Sequence, residues 1–444
     1  MIRSGSWLLT GFFLLVITPG QVIASAPSGA TDCGRAIGAQ YDTIAVMPFQ
    51  NATNDQSLDW LSMGIPETIM ADLSAVGGIV LIERIQLWRV MDEQALQLTG
   101  AVSDASAMEI GRLVGASLLV VGAFQRQGSM MRLTARFVEA ESGSVMQTAK
   151  VTGRLNDIFD LQDKLVSELA TGMNLSTAST KSARLVPELT KSIEAFQHFG
   201  QAALYQAQKN YQGVVEELRR AVALDPGFTL ARDRLTDAFL MLDEDNYWEY
   251  ETVVSSSGKA ESRSIDLHRA GGVSGLKGKQ CYTYIRKVVG TSQGDEFVGR
   301  IVEYYEKRED GIYLAGELVD PERGSETLRI YNPSVLVFPY EMEVGRKWSS
   351  EHRVKERRPS GSGNVRYQQA TILRKENVEI PSVGTLECYV IQYDQRVSSA
   401  ASPATVWFAP GIGVVKVVWQ EMGDKVSGSS RRIEMVLRNF HFEG

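Results

Sequence analysis

The chain has 444 residues, 44% hydrophobic and 22% charged, with a formal net charge of −7 and a pI near 5.4. That length is too great for one ordinary core and sets an expectation of about two to four domains. The hydrophobic share excludes a disordered chain. The acidic balance excludes a general nucleic-acid binder, whose binding face normally dominates the charge.

The N-terminus reads as an export signal. Arg3 gives a positive start, Trp7–Ile17 ("WLLTGFFLLVI") an apolar run too short for an ordinary span, and Ala24-Ser25-Ala26 a cleavage site. Residues 1–26 are therefore expected to be a signal peptide, followed by a small, polar leader over 27–40. Cys33 lies beyond the cut rather than at it, so no lipid anchor is expected. No later apolar run is long enough to span a bilayer. The expected location is the periplasm, soluble or associated with the outer membrane. Export permits a disulfide. Cys281 and Cys388, both in strand-like runs, are the candidate pair, and two buried free thiols are the alternative. Closing so long a loop contributes about 4–5 kcal/mol in the chain-entropy model.

Residues 41–175 alternate strands and helices. "TIAVMPF" is a strand. "WLSMGIPETIMADLSAV" is a helix with Leu61, Ile65, Ile69 and Leu73 spaced by four. "IVLIER" is a strand, "IQLWRVMDEQALQL" a helix, and "ASAMEIGRLVG" a third helix stopped at Gly115. "ASLLVVGAFQRQG" and "MRLTARFVEAESG" are strands around a turn at Gln127–Met130, "VMQTAKVTG" is another strand, and "LNDIFDLQDKLVSELATGM" closes as a helix. This predicts an α/β domain with a mixed sheet. Residues 176–190 are a linker by composition.

Residues 191–245 turn all-helical, with the spacing of a tetratricopeptide-like hairpin. Tyr205 and Tyr211 flank its turn. With Arg219 they are the candidate partner-binding residues. Val214 and His198 depart from that repeat's preferences. One repeat needs neighbours to bury its faces, so the hairpin is expected to pack on a flanking domain. Residues 246–280 read as a second linker. Residues 281–444 are β-rich, alternate in period two and suit an antiparallel sheet with one wet face. The basic stretch Lys355–Arg366 reads as a solvated hairpin tip.

Chemistry is poorly supported. "IAVMPFQN" has the strand, loop and helix order of a phosphate cradle, but no G-x-x-x-x-G-K-[ST] or G-x-G-x-x-G follows it. "GGVSGLKGKQ" (Gly271–Gln280) has the wrong glycine spacing and reads as a flexible loop. His198, His268, His352 and His441 are far apart, with no metal-ligand spacing, and no G-x-S-x-G elbow exists. Asp55, Asp59 and Glu67 form at most a small acidic cluster, and helix capping is the simpler role for Asp59. No catalytic, cofactor or metal residue is assigned, and no enzyme is expected.

Residues 43–171 resemble the TolB amino-terminal-like and curli-secretion (CsgG-like) domains. The markers are an "AVMPF-N" strand, Gly64, Glu67, Ile69 and Leu73 on the following helix, Glu83-Arg84, the "G-A-x-x-x-v-x-G" strand from Gly115 to Gly122, and Val138, Ala140, Ser142 and Gly143. Tetratricopeptide hairpins often follow this domain. The resemblance implies an envelope assembly domain in which Pro48 ends the strand and Asn51 holds the turn. Secretion-pore members carry long membrane hairpins, whereas the turn here is only "RQGSMM", too short for a membrane strand. Ring-forming relatives imply self-association. The C-terminal part, with "PYEMEVGRKW", "VEIPSVGTLECYVIQY" and "WFAPGIGVVKVVW", resembles exported β-domains whose open sheet bends like a half-barrel.

The fold class expected is thus multi-domain α+β: an α/β mixed-sheet domain, a short tetratricopeptide-like segment and an antiparallel half-barrel. The function expected is a periplasmic scaffold binding other envelope proteins. The alternatives are a carrier of a lipid or other apolar ligand, unless Trp348, Tyr367, Trp407 and Trp419 fill the concave face, and an exported enzyme.

Overall fold

Strand β1 (Thr43–Val46) sends alternate side chains to opposite faces, and this sets the first layer arrangement. Ile44 and Val46 join one buried cluster, Ala45 and Met47 another. The computed structural model describes residues 43–53, 55–74, 79–83, 86–87, 90–91, 104–173, 190–256, 261–292, 295–321, 327–356, 364–397, 400–421 and 431–442. The signal peptide, the leader, Cys33, most of the helix expected in "IQLWRVMDEQALQL" and the linker before Thr190 lie outside them.

The N-terminal sheet is mixed, with order β3-β1-β4-β5-β6 and β2 paired to β4. Its strands are β1, β2 (Gln50–Asn51), β3 (Val80–Leu81), β4 (Leu118–Gln127), β5 (Met130–Glu139) and β6 (Val145–Arg154). The β1–β3, β1–β4 and β2–β4 pairs are parallel; β4–β5–β6 is an antiparallel meander. Helices α1 (Leu61–Ser74) and α3 (Ile158–Gly172) cover one face, and α2 (Asp104–Leu113) helps cover the other. Leu61, Ile65, Ile69 and Leu73 are fully buried, as their spacing predicts. Phe49 lies flat across Gly122: a Cβ there would stand 2.2 Å from the ring. Only glycine allows that approach.

Three further helices follow: α4 (Ile193–Ala207), α5 (Tyr211–Leu224) and α6 (Thr229–Phe239). Ser192 caps α4 through the amide of Ala195, and Asn210 caps α5 through that of Gly213. They are not a tetratricopeptide segment. α4 packs on α1, with Phe196 edge-on to Trp60 at 5.5 Å and Gly200 close against the Trp60 carbonyl. α5 sets Tyr211 against Phe440 and Phe442 at 6.1 and 5.1 Å. Phe239, ending α6, sits 4.9 Å from Tyr340 and 5.5 Å from Phe408. The helices thus join sheet to barrel, and residues 37–444 form one compact unit.

The C-terminal half is a closed barrel of twelve antiparallel strands, which overturns the expected half-barrel. They are β7 (Tyr247–Ser256), β8 (Ser262–Leu276), β9 (Lys279–Ser292), β10 (Asp295–Arg308), β11 (Gly311–Pro321), β12 (Thr327–Pro339), β13 (Lys347–Glu356), β14 (Asn364–Ile380), β15 (Gly384–Val397), β16 (Ala400–Ala409), β17 (Gly413–Glu421) and β18 (Arg431–His441). The stretch read as a linker, 246–280, holds β7 and β8, the strands that close the ring: β7 pairs with β18, and β8 with β9. The glycine-rich stretch Gly271–Gln280 is not a loop but the turn of β8–β9 with its flanking strand ends.

Contacts between strands that are not neighbours mark the interior. Trp248 on β7 donates to the carbonyl of Ile412 at 2.7 Å, and Tyr393 on β15 to that of Val337 on β12 at 2.7 Å. Phe338 and Phe408 stack at 3.9 Å. At the end nearest the helices these rings, with Phe239 from α6, fill the barrel. The outward face carries ion pairs such as Arg263–Glu251 (3.1 Å) and Lys416–Glu434 (2.5 Å).

Candidate functional site

The polar loop after β1 is built by side chains, without a phosphate cradle. Asn51 accepts from the amide of Thr53 at 3.0 Å and donates to Asp59 Oδ1 at 2.7 Å, the turn-holding role its position implies. Asp55, rather than Asp59, caps the short turn before α1 by accepting from the amide of Ser57. Glu67 stands apart from both. It is buried on α1 and meets Arg234 of α6, Nη2 to Oε2 at 3.1 Å.

That pair borders a cavity of about 340 Å³ where α1, α4, α5 and α6 converge. Met70, Phe199, Val214, Leu218 and Met241 supply apolar wall; Glu67, Glu83, Asp237 and Asp243 supply carboxylates. Nearby Lys307 of β10 is nearly buried and reaches Asp237 Oδ1 at 3.4 Å. Burial pushes the Lys307 ammonium down, against the pull of Asp237 and Asp243, and pushes the Asp243 carboxyl up. The charge of Glu67 holds the Arg234 guanidinium in its protonated form. With Arg234 as the one cation among the described lining residues, the cavity suits an apolar group with a positive end. Among the described residues its lining holds no serine, threonine, cysteine or histidine.

A second, more polar groove of about 480 Å³ lies between α5 and the β14–β15 hairpin. Tyr205 and Arg219 line it; Tyr211 does not. Arg219 Nη1 donates to the Tyr389 hydroxyl at 3.4 Å. Gln212 Nε2 donates to the carbonyl of Glu387 at 2.7 Å, and Lys375 pairs with Glu387 at 2.7 Å. Of the three candidate partner-binding residues, Tyr211 packs against the chain's own barrel and Arg219 touches it at Tyr389.

Cys281 and Cys388 are both buried and free. Their strands, β9 and β15, stand six places apart in the ring of twelve, on opposite walls, so the candidate pair is not bonded and the alternative of two buried free thiols holds. Burial pushes the Cys388 thiol up to about 12, which makes it inert as a nucleophile. Among the described residues no group of three or more His, Cys, Asp or Glu is placed to hold a metal ion, and no helix is long and apolar enough to cross a membrane.

Sequence reasoning missed the Glu67–Arg234 pair, since its members lie 167 residues apart. The signal available was the G-x-x-E pattern on α1, which put Glu67 one turn after Gly64 on a face that proved to be buried. It also missed the polar residues inside the barrel, because their strands were read as linker or as a sheet with one wet face.

A Rhizobium meliloti protein named "Putative adenylate cyclase 3" is 24% identical over 220 residues, which are 47% of this chain. The chain spans only 34% of that relative's length. Solved structures overlap in part. The LpoB C-terminal domain from Salmonella enterica is 18% identical, covering 26% of this chain and 82% of that one, with a TM-score of 0.22. Lipoprotein GNA1162 from Neisseria meningitidis is 17% identical, covering 25% and 79%, with a TM-score of 0.22. A PelC dodecamer from Paraburkholderia phytofirmans is 15% identical, covering 31% and 90%, with a TM-score of 0.20. The family model for the curli production assembly/transport component CsgG matches residues 36–156, so the N-terminal sheet with α2 is a CsgG-like domain.

Proposed function

We propose that the protein is an exported, non-enzymatic component of the bacterial envelope that binds other envelope proteins, or further copies of itself, through its CsgG-like domain. The observation that carries this reading is the family match over residues 36–156. The signal-peptide pattern at the N-terminus supports export. The geometry supplies a surface: β6 is an edge strand of ten residues, with Val145 52% and Met146 36% exposed. An edge strand with exposed apolar side chains is a template for pairing with another chain.

The carrier reading loses ground, because Phe338, Phe408, Tyr340 and Tyr393 occupy the barrel interior at its helix-capped end. The cyclase name belongs to a protein of which this chain matches only 34%, and the proposal does not take it over.

The test is crosslinking in the native envelope, with the wild-type chain and with Val145→Lys/Met146→Lys. We expect specific envelope proteins, or this chain itself, crosslinked to wild type and lost from the variant, at unchanged melting temperature. Crosslinks that persist in the variant would remove β6 from the reading. A wild-type chain that stays in the cytoplasm on fractionation would remove export.

A further inference from the structure

Beyond the packed rings, the barrel interior changes character. The register places Tyr250, Asp266 and His268 on the same face as Trp248, and across the next strands Arg286, Glu303, Tyr305, Glu317 and Arg329. Tyr250 confirms the direction, since its hydroxyl donates to the carbonyl of Val414 on β17 at 2.8 Å across the interior. Ring contacts run from Tyr250 to His268 (4.6 Å), to Tyr284 (5.5 Å) and to Tyr305 (6.5 Å). His268 Nδ1 is 2.9 Å from the Tyr284 hydroxyl. The Tyr305 hydroxyl donates to Glu303 at 3.0 Å, Arg286 pairs with Glu303 at 3.1 Å, and Arg329 pairs with Glu317 at 3.6 Å.

Packing alone does not account for this group. Arg286 Nε is fully buried and has no hydrogen-bond partner among the described residues, a donor in need of an acceptor. Yet the Arg286 and Arg329 side chains, though they point inward, keep 33% and 31% exposure. Both side chains therefore keep contact with solvent. Twelve strands enclose more width than the eight that side chains alone can fill.

The chemistry of an occupant follows from the lining. The two arginines are matched by two glutamates, so the group has little net pull on an ion. Each pair offers donors beside acceptors in a plane, which matches neighbouring hydroxyls. The faces of Tyr284 and Tyr305 offer apolar platforms for the C–H side of a sugar ring. We propose that the barrel lumen binds an uncharged, hydroxyl-rich ligand, a short saccharide, between the Arg286–Glu303 and Arg329–Glu317 pairs and the rings of Tyr284 and Tyr305.

The test screens the mature protein against an array of neutral oligosaccharides, then titrates the best glycan by calorimetry, with inorganic phosphate and oleate as the competing chemistries. Two variants are compared. Arg286→Lys keeps the charge beside Glu303 and removes Nε; Tyr305→Phe keeps the ring and removes the hydroxyl. We expect at least one neutral glycan to bind, with affinity reduced about 10-fold in each variant, the size of one lost hydrogen bond at the upper end of its range. Circular dichroism and melting confirm folding, and if Arg286→Lys does not fold, Tyr305→Phe decides. The proposal is overturned if no glycan binds, if the folded variants bind the glycan as wild type does, or if phosphate or oleate binds in its place.

Discussion

Half-buried Asp72 and buried His268 make opposite demands on pH. Burial, with the charge of Asp163 second, lifts the Asp72 carboxyl from 3.8 to about 7. In the native state it keeps its proton while the unfolded chain ionises, so its contribution is full below about pH 3.8 and is lost as pH rises to about 7. Burial, with the charge of Arg286 second, lowers the His268 imidazole from 6.5 to about 3. Its contribution is full above about pH 6.5 and is lost as pH falls towards 3. The two slopes oppose each other between about pH 4 and 6.5. Chemical denaturation across that window should show Asp72→Asn gaining stability with rising pH relative to wild type, and His268→Gln losing it. A variant-to-wild-type difference that stays flat with pH would contradict the assignment. The Glu67–Arg234 pair is a second residue-scale test. Arg234→Met leaves the buried Glu67 without that charge and should cost about 1–3 kcal/mol, the lower end because Arg234 is 44% exposed. Melting the double variant Glu67→Met/Arg234→Met should recover part of the loss. At this scale the sequence was legible where the interaction is local. Asn51 reaches only as far as Asp59. Glu67 needed a partner that only the fold brings near.

Among elements, α5 ties the helical layer to the barrel. Tyr211 is buried against Phe440 and Phe442, so Tyr211→Ala should cost about 3 kcal/mol. Hydrogen exchange should then rise across α4–α6 before it rises in the barrel. Arg219→Ala, with a single 3.4 Å contact to Tyr389 and a loose pair to Glu216, should change stability by less than about 0.5 kcal/mol. Gly411 closes the same seam. It has φ of +86°, and a Cβ there would lie 2.5 Å from the carbonyl oxygen of Tyr211, so Gly411→Ala should cost about 1–3 kcal/mol and show in thermal melts. Elements that bury one face were readable: α1 and the β4–β5 hairpin follow their patterns. β8 was not, because its pattern is inverted. Asp266 and His268 point inward while Ile265 and Leu267 stand 51% and 37% exposed, so hydrophobic alternation gave no usable face. β7 was hidden by the acidic run ahead of it, although Trp248 and Tyr250 alternate with glutamates as a strand should.

At the scale of the whole molecule, residues 37–444 form one compact unit. Phe239 and Tyr211 bury themselves in the barrel rim, and Phe196 in the sheet's helical layer, so the three parts share one core. Unfolding in denaturant should therefore give coincident transitions by far-ultraviolet dichroism and tryptophan fluorescence. Two resolved transitions would mean that the helical seam is weaker than its buried rings imply. Closure of the barrel could not be read from sequence, since it depends on which two strands meet last. No local pattern records that β7 finds β18. The composition did record that the chain is long enough for several elements of each kind.

That last pairing has a kinetic side. β7 leaves the helices early in the barrel's chain order, and its partner β18 is made last. Until β18 arrives, both ring-closing strands present bare edges, and the intervening loop closes at high contact order. A chain synthesised from its N-terminus completes the α/β domain first and the seam last. The protein should thus pass through a stage in which its first domain is folded while the barrel is still open, the period in which it is most prone to aggregation.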